Sequence, residues 1–317
     1  MDDSRPRLGI SACLLGENVR YDGGHKLDRF LRDTLGKFVD WVPVCPETEC
    51  GLPVPRESMH LEGTPESPRL VTIRSRTDHT DRMIRWAEKR LKRLESESLC
   101  GFVFKSRSPS SGIRDIKIYS EKGHPIAKGS GVFAGLFMKK FPLLPVEDEG
   151  RLHDPALREN FIERLFVYRR WKDFLRESPS VKGWMDFHAD HKLLIMAHSP
   201  AALKTLGQIV ADADPSRFEA GVERYFRTLM PALGLIATPR KNTNVLHHVL
   251  GYFKKDLTPD EKQEMLETIG RYHQGFIPLI VPVTLLNHHV RKYRQPYLGR
   301  QHYLNPHPAE LMLRNHV

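Results

Sequence analysis

Cysteine is scarce in this chain, with four in 317 residues. So few thiols exclude the disulfide-dense frameworks on which small secreted domains rely. Long apolar runs are also missing. The longest, GFIPLIVPVTLL, has 12 residues and contains Pro278 and Pro282, well short of the roughly 18 that a membrane span needs. The opening residues MDDSRPRLGI hold no apolar core of a secretory leader. No repeat or low-complexity segment stands out. These absences lead us to expect a soluble, cytoplasmic chain. In that reducing setting, cysteines in polar loops read as metal ligands or catalysts.

Positive charge is present in excess. Lysine and arginine number 49 against 39 aspartates and glutamates, a formal net of +10. From Arg151 onward the net is +7, and before it +3. An excess gathered in the second half suits an anionic partner, nucleic acid above all. The length allows two separate cores.

The first half alternates between two periods. Short β-compatible runs at 7–12, 41–44, 70–73, 102–104, 116–119 and 143–146 bracket helical patterns. One helical pattern is Leu27, Phe30, Leu31 and Leu35. A second, capped by Asp78, carries Met83, Ile84, Ala87, Leu91 and Leu94 on one stripe. A third covers 131–141. Such alternation predicts an α/β domain with a doubly wound, mostly parallel sheet. The acidic, glycine-containing segment 147–155 is the linker candidate, so domains are expected over 1–147 and 156–317. The second half reads as all-α. Phe161, Leu165 and Tyr168 open one stripe, residues 184–197 form another, and Thr258, Pro259 and Glu261 make a capping box.

Chemistry-bearing residues gather in three loops that each follow an apolar run. Cys13 ends LGISAC, Cys45 ends WVPVC, and FVFKSRSPSSG places Ser108 and Ser111 in a third loop. Strand-end loops converging on one point are how open α/β sheets build sites. Thiolates suit iron–sulfur clusters or zinc. Cys50, five positions after Cys45, could reach the same metal, while two inert buried thiols are the bland alternative. The glycines at 16, 23 and 24 lack the spacing of either nucleotide fingerprint. Cys100 opens a buried run and reads as a core residue. His188, His191 and His198 share a helical face without the carboxylate of a metalloprotease pattern, which favours packing or RNA contact over a metal.

Taken in order, Cys13-Leu-Leu-Gly16, Arg20-Tyr-Asp-Gly23, Cys45-Pro-Glu47, Gly51-Leu52, Pro55-Arg56 and Ser108-Pro-Ser-Ser111-Gly112 closely resemble the thiouracil desulfidase family. The second half, with FHADHKLLIMAHS and HHVLGYFKKDLTPDEK, resembles the YbgA-like domain found fused to it. The resemblance implies a 4Fe–4S cluster held by three cysteines, with an open iron acting as Lewis acid on a thiocarbonyl sulfur in a non-redox reaction. By position it implies Cys13, Cys45 and residue 111 as ligands, Glu47 as general base or proton shuttle, and Ser108 as a substrate contact. It also implies removal of sulfur from 4-thiouridine in tRNA.

Ser111 departs from the family's SPSCG. A hydroxyl is a harder, poorer ligand than a thiolate. The site could then be empty or labile, Cys50 could replace the missing thiolate, or Ser111 could itself ligate. Two basic stretches suit RNA: PRKNTN with Arg240 and Lys241, and HHVRKYRQPYLGR with Arg291, Lys292, Arg294 and Tyr297. Three functions compete: a tRNA 4-thiouridine desulfidase, a desulfidase for free thiouracil or a thionucleoside, and a non-catalytic RNA-binding protein with a degenerate cluster site.

Overall fold

A computed structural model describes residues 5–316. Its contacts divide the chain after Asp154 into two compact units. The first unit contains β1 (Arg7–Ser11), β2 (Asp40–Val44), α1 (Pro46–Glu49), β3 (Met59–Gly63), β4 (Pro68–Thr72), α2 (Thr80–Ser96), β5 (Gly101–Phe104), β6 (Ile116–Tyr119), β7 (Pro125–Gly129), α3 (Val132–Lys140) and β8 (Val146–Asp148).

Four of these strands form a wholly parallel sheet in the order β2-β1-β5-β8. Chain order reverses between β1 and β5, so a crevice opens beyond their carboxyl ends, the usual ligand position in such sheets. β1 is buried except at its first residue and β5 is buried throughout, as expected for parallel strands covered on both faces. Phe102 and Phe104 pack against Phe137 of α3, with ring centroids 4.8 and 5.3 Å apart. Gly9 lies directly under this cluster: a Cβ there would sit 2.2 Å from Phe102 Cδ2. α2 buries Met83, Ala87, Leu91 and Leu94. Its start departs slightly from expectation, because Asp78 sits one residue before the cap and accepts the Thr80 N–H at 2.9 Å.

Three sequence expectations are corrected. The runs at 70–73 and 116–119 do not join the parallel sheet; they belong to a second, mixed sheet of order β4-β3-β6-β7. Only its β3 and β6 pair in parallel, and the outer pairs are antiparallel. β6 is buried at alternate residues, the pattern of a strand with one covered face. The stripe from Leu27 to Leu35 yields a single wide turn, Phe30–Thr34, and a tight one, Leu35–Lys37, with Leu31 and Leu35 buried. The last strand lies at Val146–Asp148 rather than 143–146, so it runs into the acidic segment read as a linker.

The second unit consists of α4 (Pro155–Glu177), α5 (Val181–His198), α6 (Pro200–Ala211), α7 (Phe218–Leu233), α8 (Pro239–Leu250), α9 (Pro259–His273), α10 (Ile280–Lys292) and α11 (Pro296–Gly299). The capping box at Thr258 and Glu261 is formed. Trp171 stacks on Tyr225 in the core at 5.5 Å. One buried polar cluster is tied together: Arg314, beyond the last helix, donates to Glu159 at 3.0 Å and Glu163 at 2.8 Å, and His198 Nε2 lies 3.2 Å from Glu163.

Burial holds His188 and His307 neutral in this unit, with pKa values lowered to about 4, and lowers His302 to about 3. An unfolded histidine titrates near 6.5. Below that pH the unfolded chain takes up protons that the native unit does not. The contribution of these three imidazoles therefore stays whole above about pH 6.5 and is lost as pH drops toward 4. It outweighs the opposite contribution of one carboxyl, Glu159, which burial raises to about 7. Urea midpoints of the helical signal across that range should decline steadily on acidification; a flat profile would contradict these buried neutral imidazoles.

Candidate metal and substrate site

Parallel register sets the site. β1 and β2 are aligned so that Ser11 faces Val44, and the two chains leave the sheet side by side. Cys13 lies in the tight turn Ala12–Leu15 just beyond β1. Cys45 immediately precedes α1, whose first residue is Pro46. The Cys45 N–H donates to Glu49 Oε1 at 2.9 Å. β5 delivers the third loop to the same end, because the Lys105 N–H donates to Ser11 Oγ at 2.9 Å. Ser106 anchors that loop to Glu149, its N–H and hydroxyl each 2.7 Å from the carboxylate.

The serine loop is held from inside and from behind. Ser111 N–H donates to Ser108 Oγ at 3.1 Å, and Gly112 N–H to Ser108 O at 2.8 Å. The first turn of α3 points N–H groups back at it: Val132 donates to Pro109 O, and Phe133 and Ala134 to Ser110 O. A helix amino end has such unused donors to offer. Ser110 Oγ donates to Glu47 Oε1 at 2.6 Å and lies 3.0 Å from Ser108 Oγ. Glu47 is ion-paired with Arg56. The Arg56 guanidinium, 4% exposed, also donates to Val19 O at 2.9 Å and Pro53 O at 3.2 Å.

Cys13, Cys45, Glu47, Ser108 and Ser111 all line one cavity of about 950 Å³. Cys50 is outside its wall; its thiol donates to Glu47 O at 3.2 Å. Cys100, buried just before β5, lies at the opposite end of the sheet. Seven basic side chains line the cavity against three acidic ones, an excess that favours an anionic ligand.

Cys13 is 8% exposed and Ser111 4%. Among the described residues, neither the Cys13 thiol nor the Ser111 hydroxyl has a hydrogen-bond partner. Both groups open onto the cavity, where they are available to a ligand bound there. Burial pushes the Cys13 thiol up to about 12, with the neighbouring Cys45 adding to it. Burial raises Cys45 as well. A bound cation reverses that preference by deprotonating coordinating thiols. Among the described residues no histidine lines the cavity. Its carboxylates are engaged, Glu47 by Arg56 and Ser110, Asp115 by Lys128 and Asp148 by the Arg151 N–H. That leaves two sulfurs and one oxygen, short of the four ligands of structural zinc. The donor set fits an iron–sulfur group with one weak ligand.

Sequence reasoning undervalued Arg56 and Ser110. Arg56 was legible only as a letter in a motif, and Ser110 only as one serine of a turn; neither revealed its contact with Glu47.

The helical unit places the other named residues differently. Arg240 is exposed in the first turn of α8, and Arg291 and Arg294 are exposed at the end of α10 and just after it. Lys241 is engaged, donating to His198 O at 2.8 Å and Ile236 O at 3.0 Å. Lys292 donates to Glu261 at 2.6 Å, and Tyr297 stacks on Tyr252 at 5.3 Å. His188, His191 and His198 are buried packing groups, bonded to Tyr225, Phe187 O and Leu235 O respectively. Glu159, Glu163 and His307 converge as possible cation ligands, but Arg314 already occupies both carboxylates.

Residues 8–149 match the family described as 2-thiouracil desulfurase, and residues 192–308 match a family of unknown function, DUF1722. The uncharacterized protein YbgA of Escherichia coli K12 is 32% identical over 143 residues, 44% of this chain and 85% of that protein. This chain belongs to the YbgA family and joins to it a 2-thiouracil desulfurase domain. A solved structure, the 4Fe–4S-dependent thiouracil desulfidase TudS, is 33% identical and covers 47% of this chain and 95% of its own, with a TM-score of 0.38.

Gly131 backs the serine loop so closely that a Cβ would lie 2.6 Å from both C and O of Ser110. Backbone cannot swing aside as a side chain can. Gly131→Ala should cost about 1–3 kcal/mol and, by displacing Ser111, lower the iron retained after anaerobic reconstitution. Unchanged urea midpoint and iron content would show that this contact does not position the loop.

Proposed function

We propose that this chain removes sulfur from 4-thiouridine in tRNA, giving uridine, with a 4Fe–4S cluster held by Cys13, Cys45 and Ser111. The observation that carries the reading is the meeting of two strand-end thiols and the Ser111 hydroxyl in one cavity beside Glu47 and Ser108. Membership of residues 8–149 in the 2-thiouracil desulfurase family supports a thiolated pyrimidine as substrate. The name of the related TudS supports the cluster.

When bound, the cluster supplies an open iron, a Lewis acid suited to a soft thiocarbonyl sulfur. The chain's own groups supply the rest. Glu47, oriented by Arg56 and Ser110, is placed to exchange a proton with water or the base. Ser108, anchored through the Ser111 N–H and the Ser110 hydroxyl, keeps hydrogen-bonding capacity for the pyrimidine edge. Lys26, exposed at the cavity wall, offers charge to a phosphate. We assign the cluster to residues 1–147 and tRNA to 156–317, where exposed Arg240, Arg291 and Arg294 would meet phosphates. Lys241, Lys292 and Tyr297 would join them only by leaving their present partners. No helix among the described residues is long and apolar enough to cross a membrane, and thiolate ligands suit the reducing cytoplasm.

A second reading, a desulfidase for free thiouracil or a thionucleoside, is favoured by the cavity's position wholly within the first unit. Non-catalytic RNA binding rests on Ser111 alone.

Reconstitution with iron and sulfide, followed by assay of 4-thiouridine loss from tRNA, tests the proposal. Ser111→Cys should raise iron content and turnover together; equal values in both forms would remove residue 111 from the ligand set. In that background Glu47→Ala should keep the iron and lower the rate about 10²–10⁴-fold. A near-normal rate would move proton handling to another group.

A further inference from the structure

A second cavity, of about 490 Å³, lies on the mixed sheet of the first unit and shares Arg107, Pro109 and Asp115 with the cavity of Cys13 and Cys45. Nothing in the sulfur chemistry calls for it. Its wall carries two stacked rings, His60 of β3 and Tyr119 of β6, with centroids 5.1 Å apart and planes inclined by 21°. The ring pair is held in place by a neighbour on the same strand. His60 Nε2 lies 2.6 Å from Glu62 Oε1, and Glu62, 2% exposed, is ion-paired with Arg76. Beside the rings, Ile73 is 47% exposed and adds an apolar surface.

Arg107 stands where the two cavities meet. It is exposed and has φ of 58°, a left-handed conformation uncommon outside glycine. Among the described residues its guanidinium has neither an ion pair nor a hydrogen bond. A free guanidinium between a reactive cavity and a platform of flat rings has the layout of a site for two consecutive nucleotides. The guanidinium meets the linking phosphate and the rings meet a base.

We propose that this second cavity receives the nucleoside adjoining the thiolated one in an RNA chain. Its base would pack on the outer face of the stacked His60 and Tyr119 pair, and the phosphate between the two nucleosides would sit on Arg107. The inference rests on the reading that the substrate is a thiolated nucleoside within RNA, and it adds where the neighbouring nucleoside and the linking phosphate bind.

The test compares binding of two unthiolated probes to the full-length protein at fixed ionic strength: tetrauridylate and uridine, which carries no phosphate. The native chain should bind tetrauridylate at least about tenfold more tightly. Arg107→Gly removes the guanidinium while supplying the residue best suited to that backbone. Tyr119→Ala removes half of the ring pair. Each should weaken tetrauridylate about tenfold and leave uridine within about twofold. Three results would overturn the proposal: no preference for the tetranucleotide in the native chain, an undiminished preference in both variants, or equal weakening of both probes. Loss of 4-thiouridine from tRNA, measured alongside in the reconstituted Ser111→Cys chain, separates the two claims. Its absence would sink the desulfidase reading, while the binding comparison still decides the second cavity.

Discussion

The alignment of two parallel strands is the constraint on which the site depends. With Ser11 opposite Val44, the chain leaves both strands at the same level, and the next residues to emerge are the two thiols. A slip of one residue would turn every side chain of a strand to the other face, forcing Leu8 and Ile10 onto the face where Gly9 leaves no room beside Phe102. The hydrophobic pattern that fixes the fold therefore also fixes the separation of Cys13 and Cys45. The third donor is placed by the Lys105 N–H on Ser11 Oγ and by the amino end of α3.

Charge is handled differently in the two units. In the first, Arg56 is buried but gives its donors to two backbone carbonyls and to Glu47, so a fixed positive group stands behind a carboxylate that faces the cavity. In the second, Arg314 closes a pair of buried carboxylates. Removing one member of such a cluster leaves an uncompensated charge, which makes it a structural device. The same residue types thus orient a proposed reactive group in one unit and hold helices together in the other.

Much of this was legible in the sequence. Cys13, Cys45 and the serine loop each follow a short apolar run, and strand-end loops of a parallel sheet have few places to go. The helical second half was equally plain, down to the capping box at Thr258. The mixed sheet was not. Its strands are four or five residues long, and nothing in such short runs tells which sheet they join. The stripe from Leu27 to Leu35 has helical spacing, yet only two of its four apolar residues are buried. Composition counted Lys241 and Lys292 as available charge, because a sequence shows a cation and not the carbonyl or carboxylate that holds it.

The central claim is that the end of β1, the end of β2 and the serine loop form one ligand set. Iron and acid-labile sulfide, counted per chain after anaerobic reconstitution of the native protein and of Cys45→Ala, test it most directly. The account predicts iron and sulfide in equal amounts in the native chain, below the four of each that a full cluster holds and readily removed by a chelator, and background levels in the variant. Iron content that does not depend on Cys45, or a chain that takes up zinc in place of iron and sulfide, would contradict it.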